Sequence, residues 1–114
     1  MKVFVDIDNT ICYTNELGGP DKYERSVPIE GRIAFVNNLY DSGNHITYWT
    51  ARGSRSGNDY RDITERQLRE WGCKYHELIM GTKPAFDLLI DDRALNPNAI
   101  QYHHDGKFSI GNTD

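Results

Sequence analysis

A single α/β domain with a mostly parallel sheet is predicted by three features of the sequence. Short apolar, β-branched runs alternate with stretches whose apolar residues recur at helical spacing. Turn formers separate these segments. A polar cluster follows each apolar run, which puts the clusters together at one edge of such a sheet. The prediction is one Rossmann-like domain over residues 1–114, with helices on both faces.

The elements follow in order. KVFVDI (2–7) is apolar and β-branched and reads as a buried strand. Residues 12–27 are polar and rich in turn formers and read as an irregular loop. Ile29, Ile33, Val36, Leu39 and Tyr40 fall at helical spacing, with Pro28 suited to a first turn and DSGN (41–44) as a stop. HITYWT (45–50) is a second strand, and ARGSRSGN (51–58) is a loop. A second helix is predicted over about 59–71, with Tyr60, Ile63, Leu68 and Trp71 on its apolar face and an imperfect step at Gln67. Asp62/Arg66 and Glu65/Arg69 stand at i,i+4 with the acid first, and Gly72 is a natural C-cap. ELIM (77–80) and FDLLI (86–90) read as third and fourth strands. Only GTKPA (81–85) joins them, which is too short for a helical crossover. IQYHH or KFSI in the tail is read as an edge strand.

Composition narrows the function classes. Hydrophobic residues at 38% and charged residues at 26% place the chain among globular proteins. No apolar run approaches the ~20 residues of a membrane helix, so a cytoplasmic protein without a membrane partner is expected. Cys12 and Cys73 lack metal-site or disulfide-framework spacing and are expected to be reduced thiols. A net charge of -4 gives no support to non-specific nucleic-acid binding, although Arg52, Arg55, Arg61, Arg66 and Arg69 crowd one region.

Four polar clusters end the four predicted strands: Asp6-Ile7-Asp8-Asn9-Thr10, Thr50-Ala51-Arg52, Thr82-Lys83 and Asp91-Asp92-Arg93. Singly, each is an ordinary turn or cap. Together, several carboxylates at one rim repel one another. Two unit charges ~4 Å apart cost ~4 kcal/mol at an effective dielectric of about 20. Such a cluster favours a cation, and oxygen-only ligands suit Mg²⁺. With Lys83 and Arg52 it would make an anion site fit for a phosphate.

In this order, the clusters resemble the motifs of the haloacid dehalogenase-like (HAD) phosphohydrolases. DIDNT is similar to the family's DxDx(T/V) first motif and ITYWTAR to its second, while Lys83 in GTKP and LLIDDR match the third and fourth. The resemblance spans residues 3–93 and implies a phosphomonoesterase working through an aspartyl-phosphate. Asp6 would be the nucleophile and Asp8 the general acid and base. Asp6, the Asp8 backbone carbonyl, and Asp91 or Asp92 would hold Mg²⁺. Thr50 and its neighbour Ala51 would meet the phosphoryl oxygens, and Lys83 would offset charge. Arg52 resembles the phosphate-binding arginine of polynucleotide kinase/phosphatases, which share IDDR. The TARG stretch is equally similar to small bacterial capsule-biosynthesis phosphatases. Thr10 is expected to support the loop, and Arg93 to form a structural ion pair.

The loop over 11–27 is too small for a cap domain and 81–85 leaves no room for another, so the chain resembles the capless group. Two substrates remain open. A small sugar- or nucleotide-type phosphate suits the acidic charge, and a neighbouring subunit could then cover the open site. A polynucleotide 3′-phosphate suits the capless layout, Arg52 and IDDR. The small metabolite is preferred. A signalling receiver domain is disfavoured, because the third strand ends in Gly81 and offers no acceptor Asp. A non-catalytic phosphate- or Mg²⁺-binding relative is the third reading. His103-His104, His76, Trp49 and Trp71 are read as structural, and Tyr13, Tyr23 and Tyr60 as candidates for the mouth of the site.

Overall fold

A computed structural model of the chain describes residues 1–111. Three strands form its sheet: β1 (Lys2–Val5), β4 (His45–Thr50) and β5 (Glu77–Met80). They lie in the order β1-β4-β5, all parallel, with Val3 beside Ile46 and Val5 beside Tyr48. Helix α1 (Glu30–Asp41) joins β1 to β4, and α2 (Arg61–Glu70) joins β4 to β5. The α/β class and the parallel pairing agree with the sequence reading, and no cap domain stands over the sheet among the described residues.

The placement of the helices does not agree. Strand order advances in one direction, so two right-handed crossovers put both helices on one face. Helices on both faces require a reversal of strand order, and none occurs. The core records this. Ile33 and Val36 of α1 and Leu68 of α2 share one cluster with Val5, Ile46 and Tyr48. The alternate residues of the strands, Phe4, Trp49 and Ile79, point to the other face. Phe4 is 56% exposed and meets Trp49 edge-on, with ring centroids 5.9 Å apart.

The predicted fourth strand does not form. Residues 86–90 have no strand partner, and Phe86, Leu88, Leu89 and Ile90 are all exposed. A parallel strand needs a crossover of about a dozen residues, and five are available. β1 is therefore an edge strand.

Each helix stops on a full Schellman turn. After α1, Gly43 N–H donates to the Tyr40 carbonyl and Asn44 N–H to the Leu39 carbonyl. After α2, Gly72 N–H donates to the Arg69 carbonyl and Cys73 N–H to the Leu68 carbonyl. Gly43 and Gly72 take the left-handed φ this motif asks for, 93° and 71°. The ion pairs along α2 are Arg61–Glu65 and Arg66–Glu70, not the two acid-first pairs read from the sequence.

Two hairpins complete the chain. The predicted loop over 12–27 is closed at its base by β2 (Cys12–Tyr13) and β3 (Val27–Pro28), so Pro28 ends a strand and does not open α1. In the tail, β6 (Ile100–Tyr102) pairs with β7 (Phe108–Ile110) and not with the sheet. This second hairpin packs on the outer side of α1. Phe108 meets Phe35 at 5.5 Å between centroids, and Tyr102 lies against Gly31. No helix of the described residues is long and apolar enough to cross a membrane.

The core makes two stability predictions. Tyr48 Oη is buried with no oxygen or nitrogen partner among the described residues, and the Cys73 thiol is the polar side chain that acts on it. Tyr48→Phe removes an unsatisfied hydroxyl, so the urea midpoint should hold or rise; a loss above ~1.5 kcal/mol would show that Oη is satisfied. Burial also pushes the Cys73 thiol up to about 11 from its ordinary 9.0. The folded chain thus favours the neutral thiol. That contribution is present in full below pH 9.0 and is lost as pH rises through 11. Midpoints measured across this window should fall for the wild type and fall less for Cys73→Val.

Candidate functional site

The site forms at the carboxyl edge of the sheet, where β1, β4 and β5 release their chains. Ile7 is fully buried, so its neighbours Asp6 and Asp8 are turned out of the core at the end of β1. A tight turn follows. Thr10 and Ile11 donate their N–H groups to the Ile7 carbonyl, and Asn9 N–H donates to the Cys12 carbonyl. Asn9 holds this turn with φ 60°, the one non-glycine residue with positive φ among those described. Asn is among the few side chains that tolerate this conformation. Its Oδ1 accepts from Thr14 N–H at 3.0 Å, and Arg32 of α1 donates to the Asn9 and Thr10 carbonyls.

Each acid meets its own cation. Lys83 Nζ lies 2.8 Å from Asp6 Oδ1, and Thr10 Oγ1 donates to Asp6 Oδ2 at 3.2 Å. Lys83 is itself held between rings, 5.5 Å from the centroid of Trp49 and 5.6 Å from that of Phe86. Asp8 is bound by Arg52. Arg52 Nη2 lies 2.9 Å from Oδ1 and Nε lies 3.1 Å from Oδ2. Thr14 Oγ1 also donates to Oδ1 at 2.7 Å and shares a 2.7 Å contact with Ser26.

The arginine is not a loop side chain in water. Its side chain is fully buried, while that of Asp8 is 15% exposed and that of Asp6 38%. Arg52 Nη1 donates to Thr64 Oγ1 at 3.1 Å and to Gln67 Oε1 at 2.6 Å, both on α2. The Tyr23 ring covers the guanidinium at 4.6 Å, and Tyr60 meets Tyr23 edge-on. Gln67 Nε2 in turn donates to the Tyr23 carbonyl. The loop after β4 is closed tightly: Gly53 has φ 81°, and a Cβ there would overlap the Asn58 carbonyl oxygen. Beside it opens a cleft of about 390 Å³, lined by Gly53, Ser54, Asn58, Tyr60, Arg61 and Met80 among others.

The structure thus brings together Asp6, Asp8, Arg52 and Lys83. Thr50 is buried at the end of β4, where its Oγ1 accepts from Arg52 N–H at 3.2 Å, and Ala51 follows it. Asp91 and Asp92 are exposed, and Asp91 Oδ1 accepts from Arg93 N–H in a local turn. Arg93 makes no ion pair among the described residues. No group of three or more His, Cys, Asp or Glu that could hold a metal occurs among them either. The expected Mg²⁺ ligands were Asp6, the Asp8 backbone carbonyl, and Asp91 or Asp92; of these, Asp6 and Asp8 stand together at the end of β1. The Asp8 side chain is bound by Arg52, and Asp6 by Lys83. Within the chain, each of the two acids at the end of β1 is met by one cation.

Several partners were not read from the sequence. Thr14, Thr64 and Gln67 are buried polar residues that serve the Asp8–Arg52 pair, and Asn9 shapes the turn. Gln67 did leave a signal, the break in the apolar face of α2. Burial raises the Cys12 thiol above its ordinary value, and its Sγ lies 3.8 Å from Asp8 Oδ1. In the arginine-rich region Arg52 is buried, Arg61 and Arg66 are paired with Glu65 and Glu70, and Arg55 and Arg69 are exposed.

No family model and no curated protein matches the chain. Two solved structures share its fold. One is the crystal structure of a structural-genomics target from Vibrio cholerae, 23% identical, with a TM-score of 0.72, covering 85% of this chain and 84% of that one. The other is the structure of a Pnkp1/Rnl/Hen1 complex, 24% identical, with a TM-score of 0.54, covering 69% of this chain and 27% of the matched chain.

The turn at Asn9 makes a prediction. Asn9→Gly keeps the left-handed backbone and should leave stability within about 1 kcal/mol. Asn9→Val places a β-branched residue there and should cost ~1–3 kcal/mol. Equal urea midpoints for the two variants would show that the conformation carries no strain.

Proposed function

We propose that the chain is a phosphomonoesterase in which Asp6 attacks phosphorus. The observation that carries this reading is the state of Asp6. It is the more open of two acids at the end of β1, and it is aimed by Lys83 and Thr10. A carboxylate so placed can form a bond to phosphorus as the bond to the leaving oxygen breaks. Lys83 offsets the charge of the approaching anion, and Thr50 and the Ala51 backbone N–H are proposed to meet the phosphoryl oxygens. Asp8, in its protonated form, gives the leaving oxygen its proton. As a carboxylate it then takes a proton from the water that releases phosphate from Asp6.

A small sugar- or nucleotide-type phosphate is the substrate class preferred. The pairing of Arg61 and Arg66 with acids supports this preference over a polynucleotide end.

Hydrolysis of an aryl phosphate by wild type and Asp6→Asn tests the reaction. Wild type should turn over, and Asp6→Asn should lose ~10³-fold or more in kcat, as expected when a nucleophile is removed. Phosphate should be trapped on Asp6 in the wild type alone. Turnover that survives Asp6→Asn would sink the proposal. So would a lack of turnover with aryl, sugar, nucleotide and oligonucleotide 3′-phosphates alike, each tried with Mg²⁺ and with chelator. Far higher kcat/KM for the oligonucleotide would move the substrate to a nucleic-acid end.

A further inference from the structure

Arg52 stands where a phosphate ligand is expected, yet its geometry is that of a residue already in full use. Nε and Nη2 grip Asp8, Nη1 is divided between Thr64 and Gln67, and the Tyr23 ring closes the face of the guanidinium. None of the side chain is exposed. For a phosphate to reach it, Tyr23 would have to leave and Asp8 would lose its partner inside the protein. Breaking a buried pair in that way is strongly unfavourable.

The grip also sorts the two oxygens of Asp8. Oδ1 faces Nη2 at 2.9 Å, Nε at 3.3 Å and Thr14 Oγ1 at 2.7 Å, with Cys12 Sγ at 3.8 Å. Oδ2 has the single Nε contact at 3.1 Å. Oδ2 is therefore the oxygen with capacity to spare. A two-pronged arginine contact fixes the plane of a carboxylate, which a lysine cannot do.

We propose that Arg52 is a positioning residue that holds the Asp8 carboxylate for proton transfer at Oδ2 and does not contact the substrate phosphate. The inference rests on the phosphomonoesterase reading above. Through Thr64 and Gln67 the position of α2 is passed to Asp8, and through Tyr23 and Thr14 so is the position of the loop over 14–26. A misplacement of about 1 Å in a reacting group can cost ~10²-fold in rate.

The test compares Arg52→Gln, Arg52→Lys, Asp8→Asn and the Asp8→Asn/Arg52→Gln double variant. Arg52→Gln should lower kcat by ~10²-fold, with KM and the Kd of inorganic phosphate held within about 3-fold. Arg52→Lys should not restore kcat. In the Asp8→Asn background, Arg52→Gln should have no further effect, because it acts only through Asp8. A phosphate Kd raised 10-fold or more, measured by calorimetry without turnover, would make Arg52 a phosphate ligand and overturn the inference. Losses that multiply in the double variant would overturn it too. Where the Arg52 variants do not fold, Gln67→Met releases one Nη1 contact and should show the same split, a lower kcat with phosphate Kd unchanged. Asp6→Asn that remains active would instead remove the reading on which the inference rests.

Discussion

The buried pair of Asp8 and Arg52 is the constraint on which the rest of the carboxyl edge depends. Taking two charges out of water costs several kcal/mol per ion, and a poorly made pair does not recover it. Here the desolvation is offset by a two-pronged contact, by Thr14 on the acid, and by Thr64, Gln67 and the Tyr23 ring on the arginine. Each of these has a structural consequence. α2 gives up two inward positions to polar residues. The base of the β2–β3 hairpin returns to Asp8. The turn between β1 and β2 takes a left-handed residue so that Thr14 can reach back. One electrostatic requirement thus explains a break in a helix pattern, a strained turn and a closed loop.

Strand order sets the second constraint. With three parallel strands laid down in sequence order, both helices fall on one face, and the other keeps Phe4, Trp49 and Ile79. That face is joined to the site through Lys83, which lies near both the Trp49 and Phe86 rings while it binds Asp6. A cation over aromatic faces keeps part of its electrostatic compensation without water. The lysine is held from the side that has no helices, and the arginine from the side that has both.

Much of this was legible in the sequence because strands and acids were written next to each other. KVFV, HITYWT and ELIM fall within strands, both helices fall where apolar spacing put them, and the polar clusters after the three strands converge. What was not legible depended on partners distant in sequence. FDLLI has the composition of a strand, but composition does not say whether an unpaired edge can be reached, and five linking residues do not reach it. Arg52 could be placed at the site from its neighbours. That it is buried could not, because burial depends on Tyr23, 29 positions earlier, and Gln67, 15 positions later.

The two acids differ in their surroundings more than in their chemistry, and the roles proposed for them rest on this difference. Both are aspartates at the end of one strand, and each is bound by one cation. Asp6 is held by a single ammonium and one hydroxyl and keeps 38% of its side chain open. An ammonium is a point charge that constrains distance and leaves orientation free. A group that must form and later break a covalent bond needs that freedom. Asp8 is held by a planar fork, with its side chain 15% open and one oxygen saturated. A group that only moves a proton needs a fixed direction and little room. If the cations were exchanged, the proposed nucleophile would be locked and the proposed proton carrier loose. The identity of each cation, more than the presence of two acids, is therefore what supports the proposed division of roles.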